Sequence, residues 1–303
     1  MPSTATLMKS SSSPKAPLKQ PLQLRTSSIM LDNINDDVLQ MMFKNLTIKQ
    51  LLDIYKTNTA FSDKGIMIEM EVVDLSNLTI DMQTINFLDK VLDKSKIRKL
   101  ILKNTKFEIR SSSSNSKTKI NTKIFENVKE LQIKDTQIDE KANYFLKKYL
   151  NIEDIESLKI RRLVLDNISF ASDEEFEAFN DNIEYYQSLD ELIISNFNSV
   201  EGRGYDMEPI NYFIELIDQI KVLDKLKRLR INHTDITAET YWDERHDFVE
   251  VFLGTLELLE NLQYLKFYKN NISIEQLDEI EEEIKNRFYK RKNVWIIKKG
   301  HSV

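Results

Sequence analysis

Two arginines and a lysine are the residues most ready to do chemistry. Arg228 and Arg230 stand two apart in the run Leu226 to Ile231, and Lys266 lies between Tyr264 and Tyr268. If each run is a β-strand, side chains two apart leave the same face, so these cations and phenol rings share a surface. Guanidinium groups hold carboxylates or phosphate through paired, charge-assisted hydrogen bonds. Tyr, Trp and Arg are the usual anchors of protein interfaces. Trp295 joins the group if the last apolar run keeps the same phase. No acid falls within this C-terminal set. The chemistry it suggests is recognition of an acidic or phosphorylated protein segment. Exposed strand positions also carry aromatic residues for pairing alone, which is the plainer reading.

Bond-making chemistry has less to stand on. The chain has no Cys among its 303 residues. That excludes disulfides, thiolate metal sites and a cysteine nucleophile. His233, His246 and His301 are scattered and do not show metal-ligand spacing. Gly202 and Gly204 flank an arginine, but the strand, loop and helix that a phosphate-binding motif needs are missing. Carboxylates are too abundant for any pair to be informative. We therefore expect no enzyme activity, no cofactor and no metal site. The net charge of -6 argues against nonspecific nucleic-acid binding. No apolar run approaches the roughly 20 residues of a membrane span. The N-terminus lacks an apolar signal core. A cytoplasmic or nuclear protein without membrane contact is the expectation.

The elements that position the basic and aromatic residues repeat along the chain. The unit is apolar-x-x-apolar-x-apolar. It occurs as Met70/Val73/Leu75, Ile97/Leu100/Leu102, Val128/Leu131/Ile133, Ile160/Leu163/Leu165, Leu189/Leu192/Ile194, Leu226/Leu229/Ile231 and Leu262/Leu265/Phe267. By subtraction of their first positions, the copies start 27, 31, 32, 29, 37 and 36 residues apart. Each step has room for one strand and a returning helix. Three residues beyond the strand comes a turn residue, and two later another apolar one: Thr105 with Phe107, Thr136 with Ile138, Thr234 with Ile236, Asn270 with Ile272. Inward strand residues fill a core, and each unit buries its apolar face only by stacking on its neighbours. Capping-box patterns at Ser172/Glu175 and Ser273/Gln276 start two of the helices. A final strand at Val294 to Ile297 closes the sheet. Among the outward strand positions, seven are basic (Lys99, Lys103, Lys134, Arg162, Arg228, Arg230, Lys266) and four acidic (Asp74, Glu130, Asp166, Glu191).

This pattern resembles the leucine-rich-repeat family from about Met70 to Val303. The family consensus places Asn at the first turn position, which here only Asn270 matches. The resemblance implies an α/β solenoid, with a curved parallel sheet and outer helices, that binds protein on its concave face.

Two further segments precede the repeats. Residues 1–29 hold Pro14, Pro17 and Pro21, much Ser and no acidic residue, which predicts a disordered tail. The acid-free character also fits a mitochondrial transit peptide, although prolines and a single arginine weigh against it. Residues 30–64 predict two amphipathic helices, with Val38, Leu39, Met42, Phe43 and Leu46 on one and a Thr47/Gln50 capping box opening the next at Leu51 and Leu52. This stretch resembles the F-box: Ile34-Asn35 stands at its Leu-Pro, Asp37 at its acid, Val38-Leu39 at its aliphatics, Met42-Phe43 at its Ile-Phe. Leu46-Thr47 stands at its Leu-Ser, Leu51-Leu52 at its aliphatic pair and Phe61 at its final aromatic. Asn35 in place of Pro departs from the family. The same helices could serve only as a cap on the end of the solenoid, residues 65–303. The resemblance implies the substrate-recognition subunit of an SCF-type ubiquitin ligase. Ile34, Val38, Leu39, Met42, Phe43, Leu46, Leu51 and Leu52 would then dock on the small adaptor of the cullin complex. Arg228, Arg230, Tyr264, Lys266, Tyr268 and Trp295 would hold a protein substrate. The alternative is a leucine-rich-repeat scaffold without ubiquitin transfer.

Overall fold

The computed structural model describes residues 35–57, 67–109, 123–152, 158–197, 209–236, 248–288 and 294–298. The expected tail, Ile34, Phe61, His246, His301 and the glycines at 202 and 204 lie outside them.

The repeat read from the sequence becomes one eight-stranded parallel sheet. Its strands are β1 (Val72–Asp74), β3 (Lys99–Lys103), β5 (Glu130–Lys134), β7 (Arg162–Asp166), β9 (Glu191–Ser195), β10 (Arg228–Asn232), β11 (Tyr264–Tyr268) and β12 (Val294–Lys298). They lie side by side in chain order. The register never slips: Leu100 faces Leu131, then Leu163, Leu192, Leu229 and Leu265. A one-residue slip would turn every inward side chain outward, so the apolar period fixes the pairing. Of the repeat's apolar positions, all but Met70 are buried.

The strands from β1 to β11 of this sheet end the same way. The residue two beyond the second inward position of each unit adopts a left-handed conformation: Asn77, Asn104, Asp135, Asn167, Asn196, His233 and Lys269, with φ between 45° and 58°. Asn and Asp tolerate that region best among residues with a side chain. The turned backbone keeps a ladder of its own, as where the Asn104 N–H donates to the Lys134 carbonyl at 2.9 Å. The next residue is buried, and where it is Thr or Asn it bonds across units. Thr105 Oγ1 donates to the Leu75 carbonyl at 3.1 Å, and Asn270 Nδ2 to the Ile231 carbonyl at 3.0 Å. Short strands follow, β2 (Thr79–Ile80) beside β4 (Lys106–Phe107), and β6 (Gln137–Ile138) beside β8 (Ser169–Phe170).

Helices then return the chain: α3 (Met82–Val91), α4 (Glu140–Tyr149), α5 (Asp173–Asp181), α6 (Pro209–Ile220), α7 (Phe248–Leu258) and α8 (Ile274–Phe288). Their starts are set by short polar side chains. Asp81 accepts from the Thr84 N–H at 2.7 Å, Asp139 from the Ala142 N–H at 2.8 Å, and Ser273 from the Gln276 N–H at 3.1 Å. Each such cap contributes about 1 kcal/mol. Ser172 caps α5 as expected, with the Glu175 N–H at 3.4 Å. Aromatic rings fill the space between strands and helices, as where Phe248 stacks on Phe213 and Phe252.

Ahead of the sheet stand α1 (Asp36–Phe43) and α2 (Ile48–Thr57). The expected capping box closes on both sides: the Gln50 N–H donates to Thr47 Oγ1 at 3.3 Å, and the Thr47 N–H to Gln50 Oε1 at 2.9 Å. Tyr55 of α2 meets Phe87 of α3 edge-on at 5.2 Å, so this module shares one continuous apolar core with the stack.

Candidate functional site

The outward residues of the sheet form three rows. The register places Lys99, Glu130, Arg162, Glu191, Arg228 and Tyr264 side by side in the first. Ile101, Gln132, Val164, Ile193, Arg230 and Lys266 make the second, and Lys103, Lys134, Asp166, Ser195, Asn232 and Tyr268 the third.

Charges in the first row alternate and pair. Lys99 Nζ lies 2.9 Å from Glu130 Oε1, and Arg162 Nη1 lies 2.6 Å from the same oxygen. Arg162 Nε reaches Glu191 Oε2 at 2.9 Å. Arg230 Nη2 lies 2.9 Å from Glu191 Oε1, and Arg228 Nε lies 3.8 Å from it. The Glu191 side chain is only 8% exposed. Burial pushes the Glu130 carboxyl up, but hydrogen bonds from Lys99 and Gln132 and the Arg162 charge outweigh it, leaving Glu130 below the ordinary range. The expectation of an acid-free C-terminal set is therefore corrected. Glu191 comes from the neighbouring strand, directly beside Arg228, and takes charge from both arginines.

Several of these contacts are close yet off the hydrogen-bond direction. Arg162 Nε, Glu191 Oε1, Arg230 Nε and Asn232 Oδ1 are buried without a directed hydrogen bond. Such atoms cost stability, about 1–3 kcal/mol each where nothing else compensates. They gather on the open face between β7 and β10, which is thus less optimised for stability than the inward face behind it.

The third row differs at its C-terminal end. Lys266 Nζ sits over the Tyr268 ring at 4.5 Å from its centre, and Lys269 Nζ approaches the same ring at 5.3 Å. His233 meets Tyr268 edge-on at 6.2 Å. Among the described residues neither lysine has a carboxylate partner. Arg230 lies over Tyr264 at 5.5 Å. The fold thus brings Arg228, Arg230, Tyr264, Lys266 and Tyr268 onto one face. Trp295 is the exception. It stands in register with Leu265, packs on Phe288 at 5.5 Å and joins the core. In the uniformly apolar run Val294 to Ile297, alternation gives no phase; the large ring went to the inner side, where Phe288 receives it. Ile296 is the residue beside Lys266.

The helical module has a second candidate surface. Leu39, Phe43, Leu51 and Leu52, expected on the adaptor-binding surface, are buried in the core of the module, where they hold α1 and α2 in place. Leu46 is half-buried. Val38 and Met42, 46% and 51% exposed, face outward, and Met41, which the sequence reading passed over, is 68% exposed. Residues 38, 41 and 42 share one helical face by their spacing. A groove of about 240 Å³ beside it is lined by Asp37, Gln40, Met41, Lys44 and Glu69. Gln40 closes the back of α1 by donating to the Met67 carbonyl at 3.3 Å.

Met41 could have been found from the i, i+3, i+4 pattern of residues 38, 41 and 42. Lys269 could have been found from the turn position, where five of seven units carry Asn or Asp and only the last two carry His233 and Lys269. Among the described residues, no group of three or more His, Cys, Asp or Glu could hold a metal ion. No described helix is long and apolar enough to cross a membrane. No family model and no curated protein matches the chain.

Proposed function

We propose that this chain is the substrate-recognition subunit of an SCF-type ubiquitin ligase, an F-box module followed by a leucine-rich-repeat solenoid. α1 docks on the small adaptor of the cullin complex, and the open face of the sheet holds a protein substrate. The chain itself makes and breaks no bonds. Its contribution is to place a substrate lysine near a charged carrier enzyme, which raises the effective concentration of the reactants.

One observation carries this reading. A helix that only caps a solenoid needs one apolar face, and α1 has two. Leu39 and Phe43 fill the inner face, while Val38, Met41 and Met42 stand in solvent on the other. Exposed methionines suit a contact surface, because the flexible thioether adapts to a partner. The agreement in spacing with the F-box pattern, from Ile34 to Phe61, supports the same assignment, as does the order of module and repeats.

The test is reconstitution. Purified full chain and recombinant adaptor subunit should form a complex at micromolar concentration, read by size exclusion. Met41→Lys with Met42→Lys should abolish it while leaving the melting temperature within about 2 °C, because both side chains are already in water. If the wild-type chain forms no such complex, the ligase assignment fails and the repeats act as a scaffold without ubiquitin transfer.

A further inference from the structure

The open face does not carry charge evenly, and the unevenness points to a ligand. In the first row every cation from β3 to β10 shares a carboxylate with a neighbour: Lys99 and Arg162 share Glu130, and Arg162 and Arg228 share Glu191, together with Arg230 of the second row. Around Tyr268 the pattern stops. Lys266 and Lys269 converge on one ring with no acid beside them among the described residues. Nothing in the inward packing requires two cations on this ring. Lys269 is the more telling of the two. It sits at the left-handed turn position that five other units give to Asn or Asp.

Two cationic places therefore lie on β11 and its neighbours. One is at Tyr264, between Arg228 in register beside it and Arg230 over its ring. The other is at Tyr268, between Lys266 and Lys269. They are four residues apart on one strand, roughly 13 Å at about 3.3 Å per residue. A single phosphate needs cations that converge on one point, and 13 Å is too far for that. An extended peptide laid along the strand matches the span, because its side chains i, i+2 and i+4 point to one side with the same repeat. Between the two places the middle row offers the half-buried Ile296 beside the stem of Lys266.

We propose that this C-terminal end of the open face binds an extended, unmodified acidic segment of a protein, with carboxylates at i and i+4 and an apolar residue at i+2. Carboxylate i lies between Arg228 and Tyr264. Carboxylate i+4 lies over Tyr268 between Lys266 and Lys269. The aromatic rings add apolar area, and Glu191, beside Arg228 on the neighbouring strand, holds the arginine side chains in place. This rests on reading the open face as the protein-binding surface, and it is independent of what α1 binds.

The experiment uses the full chain and fluorescein-labelled short peptides. One carries Glu-Thr-Val-Thr-Glu between Ser-Gly ends. A second has the same composition with the two glutamates adjacent. A third has phosphoserine in place of both glutamates. Fluorescence anisotropy should show the spaced glutamate peptide binding about fivefold or more tighter than the adjacent isomer, and weakening with salt. Lys266→Ala with Lys269→Ala should lower its affinity about fivefold or more; Lys103→Ala with Lys134→Ala, the same charge removed elsewhere on the face, should change it less than about twofold. Lys266→Gln with Lys269→Gln, checked by circular dichroism, repeats the test with stem length kept. Equal binding of the two isomers, an equal loss in the Lys103/Lys134 control, or no binding at millimolar peptide overturns the proposal. So does binding of the phosphoserine peptide alone. Adaptor binding by the same preparation reads out the ligase assignment separately, so the failure of one is not the failure of the other.

Discussion

The first four long strands and the last three share one backbone geometry and one register, yet their open faces are built differently. From β3 to β9 the first row runs Lys99, Glu130, Arg162, Glu191, each charge in contact with the next. At β11 the lysines crowd a tyrosine, and among the described residues neither is ion-paired with an acid. Behind both regions lies the same wall of Leu, Ile and Phe. The difference shows that the inward face alone specifies the fold, and that outward positions are free to vary. Where outward charges alternate, they tie neighbouring units together. Where they do not, they contribute little to stability.

The largest expected effects test whether the inward wall is the same in both regions. Leu192→Ala on β9 and Leu265→Ala on β11 each remove a fully buried side chain. Each should cost about 2–5 kcal/mol, read from urea unfolding by far-ultraviolet circular dichroism. A nearly silent Leu265→Ala would mean that the C-terminal units are held by something other than this wall, and the comparison would lose its common reference.

Glu191→Ala comes next. It removes the carboxylate shared by Arg162, Arg228 and Arg230. Three cations would face one another without it. Their tips are partly in water and can swing apart, so the loss is smaller than for a fully buried pair. We expect about 1–3 kcal/mol. A loss indistinguishable from zero would show that the paired row is as dispensable as the lysines around Tyr268, and the contrast between the two regions would collapse.

Much of this was legible in the sequence, for identifiable reasons. The strands were readable because apolar residues recur in phase in every unit, and the helix caps at Thr47, Ser172 and Ser273 because the chemistry of a helix start is local. Arg228, Arg230, Tyr264, Lys266 and Tyr268 fell on one face because alternation is enforced by the buried partners between them. Trp295 did not, since every residue from Val294 to Ile297 is apolar and tertiary packing against Phe288 decides which side faces in. Glu191 was placed outward correctly, but its service to Arg228 and Arg230 depends on a neighbour 37 and 39 residues away in sequence, by subtraction. On α1 the spacing groups residues 38, 41 and 42 on one face, but which of the helix's apolar faces α2 covers is decided by tertiary packing.

The acid side of the pH profile sharpens the paired region. Glu130 has a folded value below its ordinary one of 4.5. A carboxylate lowered in this way contributes stability above the unfolded value and loses it as pH falls through the folded one. The urea midpoint of the wild-type chain should therefore drop as pH falls below about 4.5, and Glu130→Gln should flatten part of that drop while lowering the midpoint at neutral pH. Asp81, where burial is outweighed by hydrogen bonds from Thr84 and the Lys56 charge, also lies below its ordinary value and adds to the acid limb. Asp81→Asn, which keeps a capping oxygen, separates its share. An unchanged acid limb in Glu130→Gln would mean that the Lys99–Glu130–Arg162 contacts do not favour the ionised carboxylate.

The smallest effect belongs to the lysines. Lys266→Ala with Lys269→Ala removes two cation–ring contacts, each worth about 0.5–1 kcal/mol at an exposed site. It also frees two long side chains from a fixed geometry. These terms oppose one another, so the net change should stay within about 0.5 kcal/mol, as for surface positions in general. Lys103→Ala should be equally mild, because its contact with Asp135, 3.6 Å apart, joins two side chains that are about half in solvent. Thermal melts of the two variants should then overlay on the wild type. A loss above about 1 kcal/mol in the double lysine variant would assign Lys266 and Lys269 a structural task on Tyr268. The two regions would then differ only in how they are held together, not in what they are free to bind.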